Sequence, residues 1–319
     1  MTERADEEQT TGAAPLREFD LIRWIRQQAP ADERVVVGIG DDAAAVAVPG
    51  PAALLTTDLL VEGVHFDLAE ASLGDVGWKS LACSVSDIAA MGGRASAAVV
   101  AVAVPRGFTA ARGRALAAGL LACAREFGVC LVGGDLAVTP GPLVVSVAMM
   151  GETEGRPAVR RSGARPGDVV LVTGRLGGSR LGRHLRFRPR QAEALALCES
   201  YRPSAMIDIS DGLAADLHHI LEESGVGARL LAAEVPLSDD AHRAAQASGR
   251  SPLDHALGDG EDYELLFTLP PDQAARLLER PPFDVPVTQV GTVVASGAIL
   301  ALPDGSERPL ERCGWEHTA

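Results

Sequence analysis

Apolar residues at Leu16, Phe19, Ile22 and Ile25 recur at the spacing of one helical face and predict a helix over 16–29. Val35–Ile39 reads as a short strand, turned by Gly40-Asp41-Asp42, and residues 53–57 as a second strand that ends in Asp58. The segment 75–91 has a helical pattern that is apolar around most of its surface. Ser80, Ser84 and Asp87 form the exception, at i, i+4 and i+7, and Gly92-Gly93 stops it. Residues 97–104 are apolar on both strand faces, the pattern of a strand covered on both sides. A second long helix is predicted over 109–127 with Gly128 at its end. Strands follow over 129–132, ending in Gly133-Gly134-Asp135, and over 143–149.

The charged, turn-rich RRSGARPG, residues 160–167, interrupts this pattern, and we divide the chain at 157/158. Beyond it lie strand 169–173, a Gly/Arg-rich stretch at 174–190 and strand 205–209. A helix over 210–224 follows, with Ser210 as N-cap and Leu213, Leu217, Ile220 and Leu221 on its apolar face. A last strand covers 263–269. Strands and helices mix in both halves, so the expectation is α/β, built as α+β layers in two domains, 16–157 and 158–319, after a disordered polar leader at 1–15.

Composition narrows the chemistry. The 319 residues carry a net charge of −14, which disfavours a nucleic-acid surface. Lys79 is the single lysine and lies in no Gly-rich loop, so a P-loop has no lysine to use. The 5 cysteines form no CxxC pair and imply no disulfide framework. No stretch has the length and apolarity of a membrane span, and the start of the chain lacks the apolar core of a signal peptide. The expectation is a cytoplasmic protein with no membrane or nucleic-acid partner. GxxxxGK[ST], HExxH, G-x-S-x-G and a dinucleotide-type G-x-G-x-x-G are absent. His218-His219 reads as solvated or packed, not as a metal pair.

What remains is a set of aspartates at the ends of apolar segments: Asp41 and Asp42, Asp58, Asp135, then Asp208 and Asp211, with Asp87 on the polar stripe of its helix. A single such residue is commonly a turn or a cap. A carboxylate beside an apolar strand must be paired or metal-bound, and few cations are near in sequence. Together with Thr56 and Thr57 the set forms a hard, all-oxygen ligand group suited to Mg²⁺.

The segments GIGDDAAAV (38–46), TTDLLVEGVHF (56–66), GWKSLACSVSDIAAMGG (77–93), GGD (133–135), RSGARPGD (161–168), DISDGLAADL (208–217) and GEDYELLF (260–267) resemble, in order, those of the thiamine-monophosphate kinase family. That family lies in the aminoimidazole ribonucleotide synthetase-like superfamily. The resemblance implies a two-domain fold of that type, a homodimer in which N-terminal sheets pair, and ATP-dependent phosphorylation of thiamine monophosphate by direct transfer. It implies Mg²⁺ ligands at Asp41, Thr56, Thr57, Asp58, Asp87, Asp135, Asp208 and Asp211, of which Asp41, Asp58, Asp87, Asp135 and Asp211 are the catalytic candidates. It implies ATP contacts at Gly134, Asp135, Arg161 and Ser210, and acceptor contacts at His65, Glu261 and Trp315. The acceptor is already an anion, so such a transfer requires counter-charge and alignment rather than a strong base.

Three positions depart from the family pattern: Ser84 stands for Asn, Leu136 for Thr, and Gly178 for Asp. Leu136 and Gly178 each remove a polar group from the phosphate region. The alternatives are a related ATP-dependent synthetase acting on another small molecule, or a nucleotide-binding homologue without activity. VEGVHF and GEDYELLF oppose the first, and the intact acidic set opposes the second.

Overall fold

The computed structural model describes residues 18–30, 32–37, 45–47 and 53–315. The leader, the start of the first helix, and Asp41-Asp42 lie outside the described residues.

In chain order the N-terminal part contains α1 (Glu18–Gln28), β1 (Val35–Val37), β2 (Ala45–Val46), β3 (Leu54–Val61), α2 (Leu73–Ala90), β4 (Arg94–Pro105), α3 (Ala110–Phe127), β5 (Cys130–Thr139) and β6 (Val144–Glu152). Strands β3, β6, β4 and β5 form one sheet in that order, with only β4 and β5 parallel. Helices α2 and α3 cover one face, where Val76, Leu81, Val85, Leu116, Leu120, Val100, Val145 and Val147 form a buried core. Ser72 caps α2 and Thr109 caps α3, each hydroxyl accepting a backbone N–H of the first turn, and Gly128 ends α3 in the left-handed conformation.

The C-terminal part contains β7 (Val169–Thr173), α4 (Gln191–Ser200), β8 (Ala205–Asp208), α5 (Leu213–Ser224), β9 (Gly227–Leu231), α6 (Asp239–Ser248), α7 (Pro252–Gly258), β10 (Leu265–Leu269), α8 (Pro271–Glu279), β11 (Val287–Val294), β12 (Ala298–Ala301) and β13 (Glu307–Pro309). Its sheet runs β13-β12-β9-β11-β7-β10-β8. Period-two alternation along β7 sends Val170 and Val172 to the core beneath α5, and Val169 and Leu171 to the core beneath α4 and α8. Ala89 of α2 belongs to that second core, so one helix serves both parts.

Four local expectations are corrected. Asp58 does not end its strand: β3 pairs with β6 through Val61↔Val144, so the acid sits mid-strand. Asp135 likewise sits within β5, which follows β4 to Pro105↔Thr139. Neither acid breaks its strand because ladder bonds come from the backbone whatever the side chain. Ser210 is not the cap of α5. Gly212 holds that position, and the Asp216 carboxylate accepts the Asp211 and Gly212 N–H groups at 3.1 and 3.0 Å. The last expected strand begins at Leu265 rather than at Tyr263, whose φ of +51° cannot continue a ladder.

Candidate active site

Strand alternation aims Thr56 and Asp58 of β3 at α2, and α2 meets them with polar groups on an otherwise apolar helix. The Thr56 hydroxyl donates to Asp87 Oδ2 at 2.5 Å, and the Ser84 hydroxyl donates to Asp58 Oδ2. One residue before Asp87, the Ser86 hydroxyl donates at 2.6 Å to Asp208 Oδ2, at the C-terminal end of β8. Asp58, Asp87 and Asp208 thus gather where the two sheets meet across α2. Burial pushes all three carboxyls above the ordinary carboxylate range. The charge of Asp87 pushes Asp58 and Asp208 further, while serine or threonine hydroxyls pull each back. Among the described residues none of the three forms an ion pair, and Arg161 acts on Asp87 and Asp208 only through its field. Ser80 leaves this group, since its hydroxyl is spent on the Val76 carbonyl one turn back.

Beside the cluster lies a cavity of about 540 Å³ lined by Thr57, Asp58, His65, Ser210, Asp211, Glu261 and Trp315, all of them site residues expected from the sequence. His65 Nδ1 accepts the Val61 N–H at 3.0 Å, which puts the proton of the neutral ring on Nε2. Glu261 stands on a tight loop: Gly260, Glu261 and Tyr263 have φ of +71°, +55° and +51°. For the two non-glycines this is strained backbone. The strain is held by Glu261 N–H to the Ser210 carbonyl at 2.7 Å, Tyr263 N–H to the Ile209 carbonyl at 2.8 Å and Ser179 hydroxyl to the Gly260 carbonyl at 2.6 Å. Asp262 anchors the same loop by accepting the Gly177 N–H at 3.0 Å and Arg183 at 2.6 Å, and burial pushes its carboxyl up to about 7. The Trp315 ring lies at 5.2 Å from the Arg180 guanidinium carbon, and the backbone N–H of Trp315 donates to the Asp211 carbonyl at 3.0 Å.

Asp135 and Gly134 are not brought to this cavity. They lie on β5, separated from β3 by the two strands β6 and β4, and Asp135 pairs in register with Ala101 on the sheet face turned away from α2. Asp41 lies outside the described residues. Gly178 has φ +69°, and a side chain there would collide with the Asp240 backbone, so this backbone has no room for the absent carboxylate. Asp259, whose Oδ2 accepts the Gly178 N–H at 3.3 Å, lines the cavity instead. Sequence reasoning missed Ser86 and Asp216, because a serine on a helix and an acid in a polar run carry no distinctive pattern. His219 sits within 4.8 Å of Asp211 and Asp216, ligand atom to ligand atom, and faces Arg312.

Two domain models match in tandem: AIR synthase related protein, N-terminal domain, over residues 40–153, and AIR synthase related protein, C-terminal domain, over 165–301. The chain is 42% identical over 285 residues to a thiamine-monophosphate kinase of Rhodopirellula baltica, covering 87% of this chain and 89% of that one. The structure of the thiamine-monophosphate kinase of Stenotrophomonas maltophilia K279a superposes with a TM-score of 0.78 at 34% identity, covering 91% and 97% of the two chains. AaThiL complexed with AMPPCP and TMP superposes with a TM-score of 0.74 at 32% identity, over 94% and 97%. Similarity of this depth spans both domains and nearly the full length of each relative. The chain therefore belongs to the thiamine-monophosphate kinase family.

Proposed function

We propose that the protein transfers the γ-phosphoryl group of ATP directly to thiamine monophosphate, giving thiamine diphosphate and ADP. The observation that carries this reading is the meeting of one buried and two half-buried carboxylates, without ion pairs among the described residues, with a cavity that offers an aromatic face and further carboxylates. Three carboxylates cannot stay ionised together without counter-charge. Their donor set, with Thr56, fits a hard divalent ion, so Asp58, Asp87, Asp208 and Asp211 would hold Mg²⁺. Bound there, magnesium supplies the charge that lets two phosphate groups approach each other. The residues of the chain do the rest. Ser84, Ser86 and Thr56 fix the carboxylate oxygens, His65 presents an Nε2–H to the acceptor phosphate, and Trp315 and Glu261 take the cationic, flat heterocycle of thiamine. Among the described residues no side chain at the cavity is set up as a nucleophile. The nearest thiol, Cys83, is held well above its usual range by burial and by the Asp58 charge.

The same reading places Asp135 and Thr57 at a twofold interface. They share the face of the N-terminal sheet that lacks helices, on which Leu55, Leu59 and Val99 are 77%, 56% and 41% exposed. An apolar face of this kind supports a homodimer with the paired sheets covering each other. No described helix is long and apolar enough to cross a membrane, and the five cysteines are all free thiols, which supports a cytoplasmic enzyme.

The test is an assay with ATP, Mg²⁺ and a panel of phosphorylated acceptors. The expected result is turnover with thiamine monophosphate and formation of thiamine diphosphate. Turnover confined to another acceptor, or ATP binding without turnover on any, would replace this reading with that of a related synthetase or an inactive homologue.

A further inference from the structure

Lys79, the single lysine, has no part in the reading above, yet its side chain is wholly buried on α2 at the floor of the cavity. Its ammonium donates to two acceptors from different parts of the chain. One is the His65 carbonyl at 2.7 Å, on the loop after β3, and the other is Glu261 Oε1 at 2.5 Å, on the loop before β10. An ammonium and a carboxylate are each costly to bury alone and are retained when paired and hydrogen-bonded. The pair therefore sets how far apart two cavity-lining loops stand.

Glu261 is used on one oxygen only. Its Oε2 is shielded from solvent and has no hydrogen-bond partner. A buried acceptor left open needs an explanation, and in a residue that lines a cavity the explanation is a donor on the ligand. The backbone of Glu261 is fixed by its bond to Ser210, so the remaining freedom is the rotation of the side chain. The bond to Lys79 removes that freedom and leaves Oε2 as the oxygen still open to a donor beside the cavity.

We propose that Lys79 is a positioning residue for the phosphate acceptor. It clamps Glu261 Oε1 and the His65 loop so that Glu261 Oε2 receives an N–H of the acceptor, which in thiamine monophosphate is the amino group of the flat ring. The proposal rests on the assignment of this cavity to thiamine monophosphate.

Steady-state kinetics on wild type, Lys79→Met, Lys79→Gln, Glu261→Gln and the double variant Lys79→Met/Glu261→Gln tests it, with titration of thiamine monophosphate into each by calorimetry. Both Lys79 variants should raise KM for thiamine monophosphate about tenfold and leave KM for ATP within about twofold. Glu261→Gln should cost about tenfold in wild type and less than about twofold when added to Lys79→Met, because the clamp is already lost. Lys79→Gln keeps N–H donors and serves if the apolar variant does not fold. A lysine that merely bolts the domains together would lower the melting temperature and move both KM values alike, or lower kcat alone, and either result overturns the proposal. So does full additivity of the two substitutions. Wild type that binds thiamine monophosphate without turnover, and binds it more weakly in the Lys79 variants, would remove the kinase reading and leave the clamp standing. Wild-type turnover without the KM split would do the reverse.

Discussion

Trp315 shows how far a single side chain can be understood from its surroundings. The residue is 42% exposed beside the cavity, and its ring already carries one cation, Arg180. A thiazolium seated on the ring would gain roughly 0.5–2 kcal/mol from the aromatic face, offset in part by the repulsion of Arg180. Trp315→Ala is therefore expected to raise KM for thiamine monophosphate by about threefold or more while KM for ATP moves much less. Steady-state kinetics with each substrate varied in turn checks this, and equal shifts for the two substrates would remove Trp315 from the acceptor site. At this scale much of the candidate site was legible. Asp58, Asp87 and Asp208 stand out in the sequence because a charge within an apolar segment needs a partner. Lys79 was visible as the single lysine, but nothing local announced its partners: Glu261 is 182 positions away and meets it only through the tertiary fold. Asp135 shows what a local pattern leaves out. Its strand-end pattern matched the other acids, yet parity along β5 turns it to the far face of the sheet.

At the scale of elements, the site depends on how closely α2 lies against α3. Gly77 of α2 and Gly119 of α3 sit at the crossing. A Cβ on Gly77 would strike the Leu116 carbonyl, and one on Gly119 would strike the Gly74 carbonyl. These obstacles are backbone, which cannot rotate away as a flexible side chain would. Gly119→Ala is thus expected to destabilise the protein by about 1–3 kcal/mol or more through overpacking, although alanine is the better helix former. Thermal unfolding measures this, and a melting temperature equal to or above wild type would show that the helices can part at no cost. Because α2 also carries Lys79, Ser84, Ser86 and Asp87, a surviving Gly119→Ala protein should lose turnover as well. The helices themselves were plain in the sequence. Thr109 and Gly128 bound α3 as expected, since caps are local chemistry. The misplaced boundaries fell where a distant partner decides the matter: β6 prolongs β3 past Asp58, and Asp216 rather than Ser210 closes the start of α5. The Gly/Arg-rich stretch 174–190 forms only short 3₁₀ turns. It is held instead by Phe187 stacking on Tyr263 at 3.7 Å and by Arg183 and Arg190 on Asp262 and Glu264.

For the whole molecule, two expectations follow from surface and charge. Leu55 and Leu59 stand exposed on a face of the N-terminal sheet that no described helix covers, so the expected outcome of light scattering at low micromolar concentration is twice the chain mass; a monomer would leave both residues unexplained. The buried acids make the second prediction, which concerns pH. Asp58, Asp208 and Asp262 are each pushed up to about 7, first by burial, and Asp87 and Asp216 are raised in the same direction. In the unfolded chain they return to the ordinary value of 3.8. Between these limits the native protein binds more protons than the unfolded one, so stability must fall as pH rises through the window from about 4 to about 7. Acids held low by arginine or hydroxyl partners, such as Asp75 and Glu154, act in the other direction, but only below that window. With a chelator present, the melting temperature near pH 8 should therefore lie about 5 °C or more below that near pH 5. Mg²⁺ binds the ionised carboxylates and should narrow the gap by raising the value near pH 8 while leaving the other almost unmoved. Asp58→Asn should flatten the pH dependence, raise the chelated melting temperature near pH 8, and sharply lower turnover. A chelated protein that is equally stable or more stable near pH 8 would mean that the three carboxylates find their counter-charge within the chain, and the case for a metal at this junction would lose its physical basis.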